Sequence, residues 1–125
     1  MVGTAPVMRQ RIAQGTSRVV AANNIVDGNE APLAVDGWHV RGVARANHEE
    51  GLLLAEWSDT PVGDQGVATA VGRTVKLFIT PSMSAAWDCD RVVIQAKIIN
   101  PGDPDDQTER IIDETYDLDR EAVYT

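Results

Sequence analysis

Two histidines, His39 and His48, are the residues best suited to general acid/base work or to holding a soft metal. They fall on different segments, and neither has a second ligand at a metal-binding spacing, so both read as surface or strand-face histidines. The single cysteine, Cys89, rules out an internal disulfide and a multi-cysteine zinc site. Its neighbours Asp88 and Asp90 are expected to disfavour a thiolate. Ser17, Ser58, Ser82 and Ser84 occur outside any Gly-x-Ser-x-Gly elbow, and the sequence holds neither a Gly-x-Gly-x-x-Gly turn nor a phosphate loop. No enzyme activity and no cofactor are therefore expected.

Two further groups have a chemical reading and a plainer one. Asp103, Asp105, Asp106 and Glu109 could gather oxygen ligands for calcium, but the spacing and central glycine of a helix-loop-helix calcium site are missing. A solvated hairpin tip explains Asp and Pro there without a metal. Trp38, Trp57 and Trp87 could stack on a ligand, yet aromatics make up only 5% of the chain. They are expected as core anchors, with Trp87 also a candidate for an exposed contact.

The chain of 125 residues supports one core, and its longest aliphatic runs, Val19–Ala22 and Leu52–Ala55, are far shorter than the roughly 20 residues of a membrane-spanning helix. Residues 1–9 have no basic region followed by an apolar stretch, so no secretory leader is expected. Net charge is −8, and residues 101–125 hold nine acids against two arginines. That sign opposes binding to nucleic acid and to anionic membranes. Arg9, Arg11 and Arg18 oppose this acidic end, through strand pairing within one chain or contact between copies.

Period-two alternation between turn signals predicts an all-β fold. Trp38, Val40, Gly42 and Ala44 share one face of a strand; so do Val75, Leu77 and Ile79, and so do Val92, Ile94, Ala96 and Ile98. Further strands are expected near residues 11–14, 17–23, 52–57, 108–116 and 120–124. Allowing for fusions, the expectation is a single two-layer antiparallel β-sandwich of about seven strands, immunoglobulin-like in style, over residues 10–125. Residues 1–9 form an N-terminal arm in this reading. One helical turn is predicted at Pro81–Trp87, which has proline at its start and small residues after it.

The order of these segments resembles the small β-sandwich modules of tailed-bacteriophage virion proteins, of the tail-fibre and baseplate-associated type. The landmarks are Val75–Pro81 running into Ser84-Ala85-Ala86-Trp87, then Val92–Ile98 leading through the acidic turn to Glu109–Ile112. The resemblance implies a structural virion protein of the tail or tail fibre, made in the host cytoplasm and acting through contacts with other virion proteins or with further copies of itself. Val7, Met8 and Arg9 of the arm and Trp87 are the expected contact residues. A capsid decoration protein and a carbohydrate- or calcium-binding sandwich module are the alternatives.

Overall fold

A computed structural model describes residues 10–102 and 109–119. The arm with Val7, Met8 and Arg9, the acidic turn Asp103–Asp106 and the strand expected at 120–124 lie outside the described residues. Eight strands and one short helix follow in order: β1 (Gln10–Ala13), β2 (Arg18–Ala22), β3 (His39–Ala46), β4 (Leu53–Ser58), β5 (Gly66–Val71), β6 (Thr74–Ile79), α1 (Pro81–Ala85), β7 (Arg91–Ile99) and β8 (Glu109–Asp119).

The predicted alternation is met where it is strongest. Val40, Ala44 and Ala46 of β3, Val75, Leu77 and Ile79 of β6, and Val92, Ile94, Ala96 and Ile98 of β7 all point into one core with Trp57 and Trp87. Thr80 caps α1 through its Oγ1, which accepts from the Met83 N–H at 3.2 Å, and Pro81 occupies the first turn, where its missing N–H costs nothing. Ser84 is fully buried on this helix, yet its hydroxyl accepts from the Gly15 N–H and donates to the Thr16 carbonyl, both at 3.0 Å. The β1–β2 turn is thereby pinned to α1.

The strands do not divide into two separately bonded layers. They form one sheet in the order β1-β8-β7-β3-β4-β5-β6-β2. The connecting strand is β5, whose Gly66 and Val67 pair with β4 while Ala68–Val71 pair with β6. Because β1 and β2 are consecutive in the chain, the two ends of the sheet are drawn together and it nearly closes into a barrel. Arg18 bridges the seam: its Nη1 donates to the Arg11 carbonyl at 3.0 Å, its Nη2 donates to Gln10 Oε1 at 2.9 Å, and its guanidinium lies 5.1 Å from the centre of the Tyr116 ring on β8. Arg11 sits in register with Asp117. For the described residues, the basic start and the acidic β8 therefore meet within one chain.

Strand β5 is absent from the strands expected from the sequence. Its pattern is inverted relative to an ordinary half-buried strand. The small residues Gly66 and Ala68 face inward, while Val67 and Val71 are 49% and 67% exposed. Trp87, offered as an exposed contact, is 1% exposed and belongs to the core. The chain after α1 has to cross back toward β7, and the Gln14 amide fastens that crossing by donating to the carbonyls of Ala85 and Trp87 at 3.0 and 2.8 Å.

Candidate interaction groove

Strand β4 bonds along one edge to β3, but along the other it meets β5 only at Trp57 and Ser58. The parting is controlled by Trp57. Its ring is buried and its Nε1–H donates to the Phe78 carbonyl of β6 at 2.8 Å, so β5 must pass directly against it. Gly66 makes that passage. A Cβ there would lie 2.5 Å from Trp57 Cδ1 and 2.8 Å from Met83 Cε.

Beyond the parting, the edge of Leu53–Glu56 has no strand partner among the described residues. A groove of about 730 Å³ opens beside it, lined also by Val62, Asp64, Gln65, Val67 and Met83 of α1. Four consecutive β4 residues line the groove, which places it along the strand's edge and not over one face. Three of the lining aliphatics are exposed, Leu53 at 41%, Val62 at 74% and Val67 at 49%, and Leu52, next to Leu53 in the chain, is 75% exposed. An unpaired edge flanked by apolar side chains is a template for an added strand, whose main chain bonds to the edge while alternate side chains enter the groove. The Leu52-Leu53-Leu54 run carried the signal in the sequence. Three successive leucines cannot all face inward from a strand, so at least one must be left outside.

The described histidine chemistry lies elsewhere. Asp59, just after β4, accepts from the Val40 N–H at 2.9 Å, from Arg41 Nη1 at 2.7 Å, and pairs with His39 Nδ1 at 3.0 Å. Ser58 Oγ accepts from Arg41 Nη1 and from the Thr60 N–H, both at 3.0 Å. This joins His39 to an acid twenty residues away, which spacing along the chain did not reveal. It ties β3 to the end of β4. His48 stands on the exposed β3–β4 turn, away from this cluster, and Cys89 is buried in the core. Among the described residues no group of three or more His, Cys, Asp or Glu side chains is placed to hold a metal ion.

Burial raises the Asp59 pKa, but the Val40 N–H, His39 and Arg41 outweigh it and hold the carboxyl below its ordinary 3.8. A depressed folded pKa gives stability that is complete above the unfolded value and is lost as pH falls through the folded one. Asp59→Asn should therefore cost about 1 kcal/mol at neutral pH, the difference between a charged and a neutral acceptor. That cost should shrink toward zero as the pH drops below the ordinary carboxylate range. Urea unfolding of both proteins from neutral to strongly acid pH checks it, and a gap unchanged in acid would show that the charge is not what stabilises the cluster.

The structure thus defines a class: an all-β protein with one curled eight-stranded sheet and a groove of mixed apolar and polar lining along a strand edge that has no partner among the described residues. Compared with known proteins, the chain shows no significant match to a protein family, a curated protein or a solved structure.

Proposed function

We propose that this protein is a non-catalytic structural subunit of a tailed-bacteriophage particle, associated with the tail or tail fibre, and that it holds a neighbouring subunit by strand addition at the β4 groove. The observation that carries the contact is the Leu53–Glu56 edge, which has no strand partner among the described residues, with Leu53, Val62 and Val67 exposed along the groove beside it. The particle assignment is supported by the sequence landmarks from Val75 to Ile112. Strand addition suits an assembly role because main-chain hydrogen bonds supply affinity and the groove selects the side chains.

The partner segment is extended and apolar, with a basic residue to answer Glu56 and Asp64 at the groove. Residues Val7, Met8 and Arg9 of a neighbouring copy have that composition. Val62→Asp combined with Val67→Asp should leave the circular dichroism spectrum unchanged, since both side chains are solvent-exposed, and should lower incorporation into particles at least about tenfold, equivalent to roughly 1.4 kcal/mol of contact energy. Unchanged incorporation would remove the groove from assembly. Deleting residues 1–9 tests the donor separately: loss of incorporation assigns the arm, and retention assigns the strand to another virion protein. Particle imaging with a labelled subunit distinguishes a tail position from decoration of the head.

A further inference from the structure

The outer face of β3, β7 and β8 places like charges directly opposite one another. Directly opposed residues on neighbouring antiparallel strands project from the same face, where unlike charges attract and like charges destabilise. Arg91 and Asp117 are opposed in this way and pair at 3.7 Å. Yet Arg41 is opposed to Lys97, and Lys97, just past a register shift between Ala96 and Lys97, is opposed to Arg110, so the three cations stand side by side across three strands. The chain has 19 acids to 11 bases, so a shortage of acids does not explain the row.

Its flanks are partly neutralised: Arg41 by Asp59, and Arg110 by Asp113 at 3.6 Å. Lys97, between two arginines, has no ion pair among the described residues. The three cations, with Val43, Gln95 and Ala96, enclose a shallow hollow of about 350 Å³.

We propose that this row is a docking site for an acidic, extended segment of a partner protein, separate from the β4 groove. Adjacent strands lie about 4.8 Å apart, so the row spans about 10 Å, and carboxylates two residues apart on an extended chain, about 6.6–7 Å, fit within it. The partner's carboxylates relieve the repulsion between the cations, which makes binding stabilising where the free face is strained. A sugar has no aromatic ring to stack on among the residues lining the hollow. The chain's net charge of −8 repels a long polyanion such as a nucleic acid more strongly than a short segment bearing two carboxylates, because the repulsion grows with the charge of the ligand.

The test uses the full chain and a synthetic peptide with alternating aspartates, against the same peptide with asparagines, by fluorescence anisotropy at low and at raised salt. The aspartate peptide should bind, the asparagine peptide should not, and added salt should weaken the complex. Lys97→Thr should weaken binding about tenfold or more while raising the thermal midpoint of the free protein, because it removes the repulsion together with the ligand. A merely structural role for Lys97 would lower that midpoint. Equal binding of the two peptides, binding unaffected by Lys97→Thr, or a midpoint lowered by it would overturn the proposal. So would sodium sulfate displacing the peptide at equal charge concentration, which would mark a site for simple oxyanions only.

Discussion

Trp57→Ala should destabilise the protein by about 3–5 kcal/mol, the range for removing a large buried aromatic. That is a large part of the roughly 5–15 kcal/mol that holds an ordinary domain together. The ring is 1% exposed, packs where β4, β5 and β6 meet, and leaves the Phe78 carbonyl without its donor when removed. The same contact makes a sharper prediction in combination. Gly66→Ala in the natural protein pushes a Cβ to 2.5 Å from the indole and should cost about 1–3 kcal/mol as overpacking. In the Trp57→Ala background most of that cost should vanish, since the indole is gone and the remaining close atom, Met83 Cε at 2.8 Å, is the end of a flexible side chain that can move aside. Urea denaturation of the four proteins completes the cycle. Additive costs would mean that Gly66 is required for some reason other than the passage of β5 over Trp57.

Gly51→Ala should be the most damaging conservative change on the surface of the molecule. The β3–β4 turn is drawn tight by the Ala46 N–H donating to the Leu52 carbonyl at 2.9 Å and the Gly51 N–H donating to the His48 carbonyl at 2.8 Å. A Cβ at Gly51 would lie 1.8 Å from the Ala46 carbonyl oxygen, a backbone atom that no rotamer change can move aside. The turn must open. The expected loss is at least about 1–3 kcal/mol, the usual scale for overpacking, with the upper end favoured because main chain and not a side chain has to give way. Because this turn leads straight into Leu52 and Leu53, the proposed assembly through the β4 groove should weaken together with stability. A change under about 0.5 kcal/mol, the ordinary range for a surface substitution, would show that the turn has another conformation of nearly equal energy.

The legible part of the fold was the part governed by neighbours in sequence. The inward faces of β3, β6 and β7 followed from alternation, and the helical turn from Pro81 and the small residues after it. Strand β5 was illegible because its pattern is reversed: glycine and alanine are buried where the core is already filled by Trp57, and valines are left outside. Trp87 was expected to be ambiguous between core and surface, and only the crossing from α1 to β7 decided that it is covered.

The candidate sites divide in the same way. His39 and Asp59, the opposed cations Arg41, Lys97 and Arg110, and the unpaired edge of β4 all depend on which strands become neighbours and in what register. What the sequence by itself determined was an all-β chain, its principal strands and their buried faces, because periodicity and turn chemistry act over a few residues. Only the tertiary structure decided that these strands curl as one sheet, that β5 leaves β4 at Trp57, and that three positive charges line up across the outside. Those outcomes depend on close packing and strand pairing between residues far apart in the chain.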